Sequence, residues 1–343
     1  MANSFFKTLT SADRTQSRTL LHENIPITGT LLSGTYNTAA SGREVNVKTF
    51  SHGMFQSVYD YPYASSSANH ILDLSAGFST NASSLSSSAT SQAAKKVNIY
   101  NQMAQVLVGY DTGSNVRNFD QDGNLTAGTK HHNAVFINFS RLLAKDEIKK
   151  GSFSMIIGTG SSYSTPFSAS ATIADTGAAT SYLSNSPAGE YGLLKNGSTN
   201  VGLVYYQAGI AILTSSVFSA AAEMDSSANT MEGLLTGSTI DSVADGMRHR
   251  IKNISFNNTT ELNSTIFFCR ANHNEFNYSS NPTYLSGSKI VVKDDEPLNL
   301  PRAYVTTVGL YSPDNELMAV AKVSEPLRKD PTNELTLRVR LDY

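Results

Sequence analysis

Two short stretches hold the residues best suited to chemistry in this chain of 343 residues. Asp111-Thr112-Gly113-Ser114 follows the apolar run VLVGY, and Asp175-Thr176-Gly177 lies within IADTGAAT. A pair of such turns can bring two carboxylates together so that they share one proton and activate water against a peptide bond. The context argues against it. NVRNFDQDGN, after Ser114, contains no apolar strand to build the rest of such a site, and the two copies are too close for each to occupy its own lobe. Asp-Thr-Gly is also ordinary turn chemistry, so two turns are expected. The proteolytic rival would make Asp111 the essential carboxylate.

The other candidates weaken on the same inspection. Asp120, Asp122 and Asn124 alternate as in a calcium loop, but Gly123 comes two places early and no Glu sits at the twelfth position. His131 and His132 are adjacent, so their side chains diverge on a strand, and no neighbouring carboxylate or thiol completes a zinc set. Gly158-Thr159-Gly160-Ser161-Ser162 follows a strand, as a phosphate loop would, yet lacks the later Gly and the Lys. Cys269, the single cysteine, sits in the apolar run IFFC and reads as a small buried hydrophobe. His273 and Glu275 would be an acid–base pair in an enzyme. The surrounding NHNEFNYSSNPTYL instead suggests a loop whose Phe276, Tyr278 and Tyr284 anchor contacts with a neighbour. No catalytic, metal-binding or cofactor-binding residue is therefore expected, and the chain is not read as an enzyme.

Bulk properties point the same way. The net charge is −2, from 26 basic and 28 acidic residues, which gives no overall reason to bind nucleic acid. Charged residues are only 16%, and Ser, Thr, Asn and Gly fill the deficit. One cysteine excludes an intrachain disulfide and suits assembly in a reducing cytoplasm. MANSFFKTLTSADR has neither the basic nor the apolar region of a secretion signal, and no apolar run is long enough for a membrane helix.

The elements that would position these residues are mostly strands. Ile71, Asp73 and Ser75 alternate against Leu72, Leu74 and Ala76, and HNAVFINF and SFSMIIG read likewise. KKVNIYNQMAQVLVG is the best helix, with Val97, Tyr100, Met103, Ala104 and Leu107 on one stripe. Shorter helices are expected after Ser11, in AKDEIKK, in TSSVFSAAAEM, and after a Ser238 cap in STIDSVADGMRHR. TNASSLSSSATSQAA reads as an exposed Ser/Ala loop. The expected fold is α+β, predominantly β: antiparallel sheets, a few short helices and a Ser/Thr/Gly-rich inserted lobe. Its divisions would be an N-terminal α+β domain over 1–160, the lobe over 161–240, and a C-terminal β domain over 241–343 that completes the core sheet.

PRAYVTTVGLYSPDNELMAVAKVSEPLRKDPTNELTLRVRLDY gives the clearest local expectation. Ser312-Pro313-Asp314-Asn315 suits a type I turn joining two strands. A last strand sets Leu335, Leu337, Val339, Leu341 and Tyr343 on one face and Thr336, Arg338, Arg340 and Asp342 on the other. Burying those five side chains would contribute about 7–15 kcal/mol before entropy is subtracted. The arginine face is expected to meet another chain, and the rival is a pair of ordinary solvated arginines.

FFCRANHNEFNYSSNPTYL together with this closing segment resembles the ends of virion structural proteins of contractile-tailed, T-even-like phages of cyanobacteria and other marine bacteria. NIPITGTLLSGTY, SSSANHILDLSAGFS and KKVNIYNQMAQVLVGYD are similar to other parts of those proteins, while 161–238 carries no such likeness. The resemblance implies a virion protein of the tail, assembled in the bacterial host cytoplasm and present in several copies. Its partners would be other tail or baseplate subunits, with neither membrane nor nucleic acid among them. A baseplate wedge component follows by analogy. Alternatives are a neck, collar or tail-completion protein, and a glycan-binding or fibre-attachment module. The expected interface residues are Phe276, Tyr278, Tyr284, Arg338, Arg340 and Tyr343.

Overall fold

Two-residue alternation prevails over helical spacing, and strand outweighs helix by more than two to one. The computed structural model describes residues 6–34, 36, 43–82, 91–279, 282–287, 289–290 and 301–343. They form two units, one of Leu20–Thr260 and one of Met1–Thr19 with Glu261–Tyr343. The fold is predominantly β, in antiparallel sheets with few short helices, as expected.

The chain opens with β1 (Arg14–Thr28), α1 (Gly29–Ser33), β2 (Val47–Thr49), β3 (Gln56–Tyr59), β4 (His70–Phe78) and α2 (Ser91–Leu107). There follow β5 (Phe119–Asp120), β6 (Lys130–His131), β7 (Asn133–Phe139), α3 (Arg141–Ala144), β8 (Glu147–Ile148), β9 (Ser154–Gly158) and β10 (Ser170–Ala174). Next come α4 (Ala178–Ser181), β11 (Leu183–Ser186), β12 (Gly189–Asn196), β13 (Thr199–Tyr205) and β14 (Ile210–Leu213). Helices α5 (Met231–Gly237) and α6 (Ile240–Arg250) lead into the long β15 (Ile251–Ala271).

In the larger unit the strand order is β1-β15-β9-β10-β12-β13-β14-β7-β4-β3-β2. Both faces of this sheet are covered at its middle strands, whereas β1 at its edge is almost wholly exposed. On β7, Val135, Ile137 and Phe139 join Leu234, Leu235, Val243 and Met247 of α5 and α6. Ala134 and Phe136, pointing the other way, join Ile99, Tyr100, Ala104 and Leu107 of α2. Helix α2 lies close to β4 because Gly77 has no side chain, and a Cβ there would fall 2.6 Å from the Lys96 carbonyl oxygen. The α2 stripe is largely as expected. Tyr100, Ala104 and Leu107 are buried, and Ala93, Lys96 and Ile99 join them.

Lys96 is the polar exception on that stripe. Helix α5 has no cation in its own last turn. Lys96 supplies one from α2, its Nζ donating to the carbonyls of Leu234 (2.9 Å), Leu235 and Ser238 (2.7 Å). Burial lowers its pKa to about 8. Arg250, the last residue of α6 and also fully buried, serves carbonyls outside any helix end. It donates to the carbonyls of Gly158 (3.0 Å), Gly160 (2.8 Å) and Glu223 (2.6 Å). The Gly158-Thr159-Gly160 loop is thus occupied by an arginine.

Several expectations need correction. The segment after Ser11 is one 3-10 turn, Ser11–Asp13, whose Asp13 Oδ2 accepts from the Thr10 amide at 3.0 Å, and it passes directly into β1. A ladder with β15 is available there, and ladder bonds outweigh a weak helical spacing. Helix α6 is capped by Thr239, not Ser238, through Oγ1 accepting from Ser242 N at 3.2 Å. TSSVFSAAAEM forms only a 3-10 turn, Ser215–Val217. Its far end is held instead by Glu223 N donating to Ser161 O at 2.8 Å and by the Arg250 bond to Glu223 O. AKDEIKK divides between the end of α3 and the short β8, separated by Lys145 at φ 53°. The unit boundaries also differ from divisions at 160 and 240. Strands β10 and β12–β14 lie inside the large sheet, so the Ser/Thr/Gly-rich stretch supplies sheet interior. Of the Ser/Ala loop expected at 80–94, residues 91–94 instead open helix α2, where Ala93 packs into the core, and 83–90 lie outside the described residues, as do the strand residues expected at 291–293.

The smaller unit adds β16 (Leu285–Ser286), β17 (Lys289–Ile290), β18 (Ala303–Tyr311), β19 (Leu317–Lys329) and β20 (Leu335–Asp342). β18 and β19 form the expected hairpin. Its turn is closed by Asn315 N donating to Ser312 O at 3.0 Å, with Asn315 at φ 64°.

Candidate functional site

The smaller unit holds all six residues expected at an interface. β20 pairs with β15 in one unbroken antiparallel register, from Ser264 opposite Asp342 to Ala271 opposite Leu335. Beyond it, Tyr343 and Asn263 exchange two backbone bonds of 2.8 and 3.1 Å. Such exchanging pairs alternate along a ladder, so the odd-numbered residues of β20 bond inward. The N–H and C=O groups of Thr336, Arg338, Arg340 and Asp342 then point to the opposite edge. Among the described residues no strand pairs with that edge.

The two faces of β20 divide as the alternation requires. Val339 is buried, and Leu335, Leu337 and Leu341 are half-buried. Their cross-strand partners include Phe267 and Cys269, whose thiol is pushed up by burial. Arg338, Arg340 and Asp342 are exposed. Because Arg270 stands opposite Thr336, and Phe268 opposite Arg338, these side chains share the arginine face. Arg340 Nε reaches Asp342 Oδ1 at 2.8 Å, and its Nη2 reaches Ser264 Oγ at 3.1 Å. Bonds from Ser264 and then Arg340 hold the Asp342 carboxyl below its ordinary pKa. Tyr343 falls on the apolar side, 70% exposed, with its hydroxyl 3.2 Å from Thr265 Oγ1. An open groove beside it is lined by Gln16, Ser17, Arg18, Asn263, Ser264 and Tyr343.

The aromatic loop after β15 is built on charged anchors. Lys329 has no exposed surface. Its Nζ donates to His273 O (3.2 Å), Asn277 Oδ1 (2.7 Å) and Asp330 O (3.0 Å). Glu275 pairs with Lys7 at 2.6 Å and accepts from Asn272 N at 3.0 Å. The Lys7 bond is the main reason its carboxyl titrates low. His273 meets Glu334, not Glu275, so the two groups of the imagined acid–base pair face different partners. The loop presents Phe276 and Tyr278, both exposed, with Phe276 in the left-handed region at φ 57°. That backbone is costly for a bulky residue. Tyr284 is half-buried, its hydroxyl donating to Arg302 O at 2.8 Å.

Sequence reading missed the β18–β19 hairpin as a contact surface. Tyr304, Tyr311, Leu317, Met318 and Val320 are all exposed, Met318 by 69%. The available signal was the uninterrupted run Leu317-Met318-Ala319-Val320-Ala321, which leaves neither face polar.

The remaining motifs are engaged in local contacts. Asp111 caps its own turn, accepting from Gly113 N and Asn115 N at 2.8 Å each, and the Asn115 bond leads the lowering of its pKa. Asp175 is buried and accepts from Gly151 N (2.7 Å), Phe153 N (3.0 Å) and the Tyr206 hydroxyl (2.9 Å). Burial raises its pKa. Each carboxylate is occupied by separate partners, so the structure does not join them into a dyad. Asp120 is buried against Lys130 at 3.0 Å, and Asp122 is bonded by Asn124. His131 is buried, which brings its pKa down to about 4, while His132 Nδ1 meets Ser79 Oγ at 2.7 Å. Among the described residues no group of three His, Cys, Asp or Glu side chains is placed to hold a metal.

The chain matches no protein-family model, no curated protein sequence and no solved structure.

Proposed function

We propose that this chain is a noncatalytic structural subunit of a contractile phage tail, a baseplate wedge component that holds neighbouring subunits. The observation that carries the reading is the β18–β19 hairpin. A lone two-stranded ribbon is marginally stable in water, and contiguous exposed apolar side chains mark contact sites. This hairpin exposes Tyr311 and Leu317 as a cross-strand pair, Met318 and Val320 by alternation on the other face, and Tyr304 at its far end, which suits a ribbon that is covered on assembly. The phage setting rests on the likeness of the quoted segments to tail structural proteins.

The test is localisation in purified virions with an antibody or a density tag on this chain. Signal at the baseplate supports the reading. Signal at the head–tail junction selects the neck or collar alternative, and virions that lack the chain overturn the proposal. Virions carrying Met318→Asp should assemble defective tails, because a buried carboxylate without a partner is costly at an interface.

A further inference from the structure

We propose that the free edge of β20 receives an extended acidic segment of a different protein as an added strand, with Arg338 and Arg340 reading its carboxylates. The inference rests on the reading of the chain as an assembly subunit and names the chemistry of one partner.

Three observations converge. The edge is a regular template: the register with β15 is unbroken, no proline interrupts residues 335 to 343, and the even-numbered backbone groups point outward. Sheet edges left in this state are the sites at which chains add strands. The side chains of those same residues form the arginine face, where Arg270, Arg338 and Arg340 stand against Asp342 and, beside Arg270 at 3.8 Å, Asp13. Arg340 already has carboxylate and hydroxyl partners, whereas Arg338 is exposed over Phe268. Residues opposite Arg338 and Arg340 on an added strand would be two apart, so carboxylates at alternate positions fit. Apolar residues between them would extend the Leu337, Val339 and Leu341 face.

The same charges argue against a second copy of this chain. Symmetric pairing of two β20 strands about residue 338 or 339 sets arginine opposite arginine, and like charges placed directly opposite destabilise a ladder.

The experiment uses the full chain and a labelled synthetic peptide, Thr-Val-Glu-Val-Glu-Val-Thr, followed by fluorescence anisotropy. A twin with Lys in place of Glu is the control. Binding of the acidic peptide and not its twin is expected. Arg338→Glu with Arg340→Glu should weaken it at least tenfold. Thr336→Pro keeps both arginines and the inward ladder but removes an outward N–H, and it should also weaken binding at least tenfold, with circular dichroism confirming the fold. Equal binding of both peptides, no binding of either, or full affinity in the double variant overturns the inference. So does a dimer of the unmodified chain cross-linked through residue 338. None of these results moves the chain within the virion, so the baseplate reading stands or falls separately.

Discussion

Lys329→Met isolates how the aromatic loop is held. Methionine keeps the length and apolar stem of the lysine but removes the ammonium, so His273 O, Asn277 Oδ1 and Asp330 O each lose a donor. Each bond contributes about 1 kcal/mol net, giving about 3 kcal/mol in all. A tenfold change in an equilibrium takes about 1.4 kcal/mol, so local opening should become about a hundredfold more populated. Hydrogen exchange read by mass spectrometry reports this directly. The amides of Asn272 and Glu275, bonded to Glu275 Oε2 and Asn272 O, should lose about two orders of magnitude of protection. Amides of β4 and β7 should be unchanged, because the loss is local. Unaltered exchange at Asn272 and Glu275, or an equal loss across the large sheet, would refute the assignment of Lys329 as a local anchor. Binding of partners through Phe276 and Tyr278 should weaken although neither residue has been altered.

Other substitutions test the larger unit. Arg250→Met strips the carbonyls of Gly158, Gly160 and Glu223 of donors and should cost about 3 kcal/mol, seen as a lower urea midpoint at constant slope; a shift below about 1 kcal/mol would contradict the role given to it. Lys96 titrates near 8 folded against 10.5 for a free lysine, so the unfolded chain binds more protons between those values, and stability relative to Lys96→Met should rise with pH across that window. A flat difference there counts against the buried ammonium. The Asp73 bond at 2.8 Å raises the His70 pKa above 6.5; its contribution is fully present below 6.5 and fades as pH climbs through the folded value. An NMR titration placing His70 below 6.5 would remove that claim.

Local patterns with a single strong period were legible in advance. The hairpin turn at Ser312–Asn315 and the two faces of β20 could be read because one polar-apolar alternation or one turn residue decides each. Helix α2 was readable for the same reason, apart from Lys96, whose burial depends on carbonyls contributed by α5. Failures occurred where distant partners decide. β1 carries a helix-like start but finds a ladder on β15, and TSSVFSAAAEM is held by Ser161 and Arg250. The Ser/Thr/Gly stretch looked like a lobe by composition, yet Leu194, Val201, Leu203 and Val204 within it are core. Of the candidate site, the shared exposed face of Arg338 and Arg340 was legible from their spacing. The exposed hairpin was not, because apolar residues on both faces normally signal burial.

The smaller unit is assembled from two stretches that lie far apart in the sequence, with residues 20–260 between them. A ribosome therefore finishes the larger unit while the smaller one still lacks its later strands. The arginine edge comes into being only after β20 has been translated and has found β15. Prematurely terminated products would display the large sheet without that edge, and so would offer an incoming strand nothing to pair with.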